Sequence, residues 1–272
     1  FYQEVAPQLA MNAPTCFFSA LDGNTGDFIL LLADLAPARN GNLRAGCSLE
    51  EAELALNDVA KLHADWWESP QLAGMDWLSR AKPDGIALFQ EMYQRAWGPF
   101  VDRMKDQLPP EILEIGERYG NSYARIAASL SQPPLTLTHG DYHLDNLFFN
   151  TSSDGVLSAT IIDWQCAAHG RGVFDVAYFL GMSLPPEMRR SHERELLRSY
   201  HAILEERGVQ GYSFDRCWDE YRLSFFTLLA RLVVVNGGGL QISEEQLEYY
   251  SMIMPRQIAP MVDLDIGNLL PQ

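Results

Sequence analysis

Apolar positions along the chain switch between two periods, and the switches divide it into elements. Two short apolar runs, Cys16–Leu21 and Phe28–Leu32, flank Asp22-Gly-Asn-Thr-Gly26, a turn-forming stretch that predicts a β-hairpin. Ahead of them, residues 1–9 read as the tail of a helix, stopped before Pro14. From residue 48 the period becomes 3.6. Ser48-Leu-Glu-Glu51 is a capping box, in which Ser48 accepts from the backbone three residues on and Glu51 reaches back. It opens a helix running to Trp67, with Leu49, Ala52, Leu56, Val59, Ala60, Leu62 and His63 on the apolar face. His63 reads as a satisfied core histidine. Further helices are predicted over 84–106 and 110–130, then a short apolar strand at 135–137. Residues 146–150 and 156–162 flank Thr151-Ser-Ser-Asp-Gly155 and predict a second hairpin. Three helices, over 186–207, 215–236 and 243–262, complete the chain. The glycines 237–239 follow a helix and lack a Lys-Ser/Thr ending, so they read as a helix end rather than a phosphate loop.

Bulk composition narrows the function classes without choosing among them. With 272 residues, 47% apolar and 21% charged, the chain can bury a substantial core. A formal charge of −16 argues against nucleic acid or an anionic membrane surface as partner. Acidity is compatible with a cationic small molecule, but most acidic surfaces serve solubility alone. The most apolar stretch, residues 225–235, is interrupted by Arg231 and ends at Asn236, so no membrane insertion is expected. Cys16, Cys47, Cys166 and Cys217 are scattered with no Cys-x-x-Cys pair, which points to a reducing cytoplasm. Cys166 is expected to be a small buried hydrophobe.

The chemistry concentrates in one stretch, Leu137-Thr-His-Gly-Asp-Tyr-His-Leu-Asp-Asn146, followed by Ile162-Asp-Trp-Gln165. Asp141 sits on a loop after a strand, Asn146 follows five residues on, and Asp163 ends the next β-rich stretch. Phosphoryl transfer from ATP needs one group to orient an attacking hydroxyl and two to hold magnesium against the phosphates. A lone His-Gly-Asp would be ordinary turn chemistry. The three elements in this order and context are far more specific.

The pattern resembles the aminoglycoside phosphotransferase and choline kinase superfamily, whose signature is H-G-D-x-H-x-x-N. The Asp163-Trp-Gln ending and Gly172-Val-Phe-Asp-Val-Ala-Tyr-Phe179 look most like its ecdysteroid-kinase-like branch. The resemblance implies an α+β, protein-kinase-like two-lobed fold, represented here mainly by the helical C-terminal lobe over 36–272. Residues 1–35 would be a remnant of the β-rich N-terminal lobe and the hinge, with backbone groups of Ala33, Asp34 and Leu35 meeting adenine. It implies an ATP- and Mg-dependent small-molecule O-phosphotransferase. Asp141 would be the base or hydroxyl-positioning carboxylate, and Asn146 and Asp163 the metal ligands. His143 would either contact the transferring phosphate or brace the loop. His139 would pin the loop backbone, Asp175 would support it by hydrogen bonds, and Asp145 would be solvated.

The acceptor is not named by these residues. Trp66, Trp67, Trp77, Trp97 and Tyr93 could form an aromatic cage for a quaternary ammonium, or could be core. The ecdysteroid-kinase-like features favour a bulky alcohol instead. A protein kinase is disfavoured, because neither Asp-Phe-Gly nor Ala-Pro-Glu follows Asp163. No lysine precedes Lys61, so the ATP-phosphate lysine and glycine-rich strands are expected upstream of Phe1. Activity of the chain as written is therefore doubtful, and a nucleotide-binding pseudokinase or regulatory module is the alternative.

Overall fold

A computed structural model describes residues 1–239 and 243–271. The first hairpin is present: β1 (Cys16–Leu21) and β2 (Phe28–Leu32) pair antiparallel, Leu21 opposite Phe28. Asp22 closes its turn by accepting the Asn24 N–H at 2.8 Å. Both faces of this ribbon are open to solvent, with Phe17 and Phe28 67% and 72% exposed. Residues 1–9 depart from the expected helix. They form a turn and a 3-10 segment, Ala6–Gln8. Pro7 has no N–H to continue a helical ladder, and the Phe1 carbonyl instead accepts from Glu4, Val5 and Ala6. Val5 is fully buried and Phe1 stacks on Trp164 at 4.2 Å, which packs this segment onto the later sheet.

Two small sheets position the segments 137–146 and 162–165. β3 (Arg39–Asn40) and β6 (Leu157–Ile161) flank β5 (Leu147–Thr151), all antiparallel, and β4 (Thr136–Thr138) pairs with β7 (Ala168–Gly170). The hairpin predicted around residues 151–155 is the β5–β6 turn. Asn12 fastens the N-terminal segment to it, accepting the Ile161 N–H at 2.9 Å and donating to the Ala159 carbonyl at 3.1 Å.

The helices are α1 (Leu49–Asp65), a single turn α2 (Pro70–Ala73), α3 (Pro83–Met104), α4 (Pro110–Leu130), α5 (Val173–Ser183), α6 (Pro186–Glu206), α7 (Phe214–Gly237) and α8 (Glu244–Asp263). The Ser48–Glu51 capping box starts α1 as expected, in both directions, a contribution of about 1 kcal/mol. α7 is the central helix, packed against α3, α4, α5 and α8. It ends at Gly237 with Gly238 as its cap, so the glycine run does terminate a helix. α5 shows little amphipathic period because it is buried all round: Val173, Val176, Ala177, Phe179 and Leu180 are each 1% exposed or less. At about 1.5–3 kcal/mol per fully buried large aliphatic or aromatic side chain, that short helix is among the most firmly held parts of the molecule.

The aromatic cage does not form. Tyr93 and Trp97 stack on each other and fill the α3–α4 contact, the Tyr93 hydroxyl donating to the Gly116 carbonyl at 2.8 Å. Trp66 is buried at the end of α1, Trp67 leans on Tyr212, and Trp77 donates to Glu4. These residues belong to separate contacts, mostly in the core. No helix among the described residues is long and apolar enough to cross a membrane.

Candidate active site

β4 delivers the chain to His139, and the loop that follows is built around a buried carboxylate. Asp175, in the first turn of α5, accepts the His139 N–H at 2.7 Å and the Gly140 N–H at 2.9 Å. Its Oδ2 also meets His63 Nε2 at 3.1 Å, and His63 Nδ1 meets the Tyr200 hydroxyl at 2.9 Å. All three side chains are inaccessible to solvent. Burial pushes the Tyr200 hydroxyl well above its usual range, so it stays protonated and donates to Nδ1. Nε2–H then donates to Asp175, and every polar group in the chain of contacts is satisfied. His63 is thus the satisfied core histidine expected, and it orients the residue that holds the loop.

Gly140 adopts φ +81°, and a Cβ there would lie 2.1 Å from the Cys166 carbonyl oxygen. Only glycine fits a left-handed position pressed against another backbone. His139 is buried; desolvation lowers its pKa, and its neutral ring bridges two segments. Its Nε2–H donates to the Ile162 carbonyl at 2.9 Å, and its Nδ1 accepts the Asp141 N–H at 3.3 Å. The catalytic-loop candidate is thereby tied to the residue before Asp163.

The sequence-predicted residues divide into those brought together and those held apart from the cleft. Asp141 Oδ2 lies 3.3 Å from His143 Nε2, and the Asn146 carboxamide donates to the Asp141 carbonyl at 2.9 Å and to Oδ2 at 3.3 Å. Burial alone would raise the Asp141 pKa. The hydrogen bond and charge of His143, with Tyr178 and Arg231, outweigh it and hold the carboxyl at about 2. Asp141 is therefore ionised throughout the physiological range. Asp163 follows β6 with φ 62° and ψ 63°, an uncommon conformation for a non-glycine residue and of a kind that clusters at functional sites. Its Oδ2 accepts only from Gln165, at 3.2 Å, among the described residues. In the segment after β2, Ala33 N–H is committed to the Thr15 carbonyl at 2.8 Å, and Asp34 accepts the Ala36 N–H at 3.0 Å. Among the described residues the N–H groups of Asp34 and Leu35 have no partner, which leaves them, rather than Ala33, as the backbone donors available there.

Two expectations need correction. Asp145 is not solvated: its carboxylate accepts the Leu43 N–H at 2.9 Å and the Tyr249 hydroxyl at 3.1 Å, linking the loop to α8. Cys166 is exposed, because the 3-10 turn Trp164–Cys166 buries Trp164 and turns Cys166 outward. One residue has no motif to announce it. Arg231, in α7, donates to the Gly140 carbonyl at 2.6 Å and lies over Phe174 and Tyr178 at 4.8 and 5.5 Å. Its only signal in sequence is a charge interrupting the apolar run of α7.

This architecture is found in solved kinases. A choline/ethanolamine kinase family protein from Mesorhizobium loti is similar over 95% of this chain and 78% of its own, with TM-score 0.54 and 14% identity. Plasmodium vivax ethanolamine kinase is similar over 93% and 68%, with TM-score 0.55 and 10% identity. A GDP complex of an aminoglycoside phosphotransferase is similar over 96% and 77%, with TM-score 0.51 and 17% identity. The fold is therefore the α+β, protein-kinase-like fold of the aminoglycoside phosphotransferase and choline kinase superfamily. Within it, the chain belongs to the ecdysteroid kinase-like family, whose model matches residues 1–209. Among curated protein sequences none matches significantly.

Proposed function

We propose that the protein is an ATP- and magnesium-dependent kinase of a small-molecule hydroxyl. The observation that carries this reading is the convergence of Asp141, His143 and Asn146 within hydrogen-bonding reach, on a loop tied through His139 to Asp163. Residues 33–35 take the adenine edge through backbone groups. The donor set suits magnesium: Asp163 offers a carboxylate and Asn146 a carboxamide oxygen, hard ligands that leave the other positions to phosphates and water. Bound there, the ion supplies charge neutralisation as the β–γ bridge breaks.

Asp141 aligns the acceptor hydroxyl for in-line attack on the γ-phosphorus. An O–P bond forms to the acceptor, the bridging O–P bond breaks, and ADP leaves. A carboxyl with a pKa of about 2 is a weak base, so its part early in a loose transition state is orientation. The hydroxyl proton is released late, to Asp141 and then water. His143, on the same carboxylate, fixes the rotamer of Asp141 and faces the phosphate being transferred. Asp175 and His139 hold the loop backbone in place.

The deciding experiment follows ADP formation by the purified full-length protein against a panel of alcohols, with magnesium and with a chelator. Transfer that needs both acceptor and metal is expected. Nucleotide binding with no transfer to any alcohol would instead favour a regulatory nucleotide-binding module. Asp163→Ala and Asn146→Ala are each expected to weaken magnesium-dependent nucleotide binding, since each deletes an oxygen ligand. Calorimetric titration with and without magnesium reads this directly. Parent-like magnesium dependence in both variants would remove the two residues from the metal.

A further inference from the structure

A cavity of about 170 Å³ opens beside the loop, with Gly140, Cys166 and Phe174 in its wall. Gly140 immediately precedes Asp141, so the cavity borders the loop that carries the proposed hydroxyl-positioning carboxylate. The chain carries 36 acidic residues against 20 basic ones, yet no Asp or Glu lines this cavity among the described residues. Arg80, Arg171, Arg231 and His169 do.

The three arginines are not equivalent. Arg171 is neutralised by Glu220 at 2.8 Å. Arg80 and Arg231 form no ion pair among the described residues. Arg80 spends one nitrogen on the carbonyls of Leu72 and Met75, while its Nε is buried without a partner. Arg231 spends one nitrogen on the Gly140 carbonyl. Arg80 and Arg231 both line this space, whose walls at Phe174 and Leu130 are apolar; part of the Arg231 charge is met by Asp141, and that of Arg80 is not. Burial, with the nearby Arg80 charge, lowers the pKa of His169 against an opposing contribution from Glu68.

We infer that the acceptor is an anionic alcohol: a hydroxyl compound whose carboxylate is held by Arg80 and Arg231 while its hydroxyl reaches Asp141. Guanidinium forks match carboxylates in geometry and charge, and a cationic acceptor would meet like charge. Net acidity of the whole protein therefore misleads about its substrate. The volume is below the roughly 300–1,000 Å³ of pockets that enclose drug-sized ligands. It fits a small hydroxy acid, or the acidic end of a larger one. This inference rests on the kinase reading of the site.

The test uses a matched set: 4-(hydroxymethyl)benzoate, its neutral benzamide and the cationic 4-(hydroxymethyl)benzylamine. Binding to the purified protein is measured by calorimetry without nucleotide, and transfer separately by ADP release. The acid is expected to bind at least about tenfold tighter than the amine, with the amide between. Arg80→Gln should narrow the acid-to-amide ratio at least fivefold, and Arg80→Lys should restore most of it. Arg80 also braces two backbone carbonyls, so a second variant guards against misfolding. Ser79→Asp, at an exposed position on the rim, should reverse the acid–amine order. Equal or tighter binding of the amine, an acid-to-amide ratio unmoved by Arg80→Gln and Ser79→Asp, or displacement of the acid by ATP would overturn the inference. Transfer to amine-bearing alcohols but not to acids would overturn it and leave the kinase reading intact. Acid-selective binding with no transfer to any acceptor would leave the anion site standing and sink the kinase reading.

Discussion

Asp141→Asn is expected to reduce acceptor-dependent ADP formation by at least about 10²-fold, the lower end of what a positioned proton-handling group contributes. The substitution keeps the size of the side chain and the contact with Asn146, so the fold should survive. It deletes the negative charge that His143, Tyr178 and Arg231 stabilise, and it places an amide where the acceptor hydroxyl must donate. Nucleotide affinity should change little, because the proposed adenine contacts lie at residues 33–35. Steady-state kinetics beside nucleotide titration separate the two effects. Residual turnover above about a tenth of the parent would remove Asp141 from the role assigned to it.

Asp175→Ala should be the most damaging single change away from the reacting atoms. It strands three buried donors at once: the N–H groups of His139 and Gly140 and the Nε2–H of His63. Each unsatisfied buried group costs about 1–3 kcal/mol. A loss of roughly 3–5 kcal/mol is expected from a total stability of about 5–15. Asp175→Asn should be milder in stability and still inactive. Whichever way its amide turns, an NH₂ group faces one of the two backbone donors, so the loop must move. Urea unfolding of the two variants against the parent checks both statements. A loss below about 1 kcal/mol for the alanine variant would mean that the loop is held by other contacts.

The local signals in the sequence translated well into structure. The capping box at Ser48, the turn residues between β1 and β2 and those between β5 and β6 all act within a few residues, and each formed as read. The loop residues were recognisable because Asp141 and Asn146 lie five apart on one loop. What was hidden depends on long-range packing. Nothing local marks the pairing of β4 with β7, the link from Asp145 to Leu43 and Tyr249, or the approach of Arg231 to Gly140. Residues 1–9 misled because a helix-like composition was read through Pro7. The aromatic residues left two readings open because helical spacing is shared by core packing and ligand cages, and core packing is what most of them do.

The contacts around Asp175 also bear on when the protein becomes competent. Its partners lie 35, 36 and 112 residues away, and His63 reaches a further partner across 137 residues. Contacts of such sequence separation are made only after the intervening chain has closed into loops, which slows their formation. The helices, whose hydrogen bonds are local, form without waiting for them. During refolding from urea, the far-ultraviolet helical signal should therefore return before nucleotide-dependent activity does. Simultaneous recovery of the two would mean that the loop is ordered by its own residues alone. On this view the proposed phosphate chemistry would be a late property of the chain, acquired when α1, α5 and α6 have met, and a partly folded molecule would be silent rather than promiscuous.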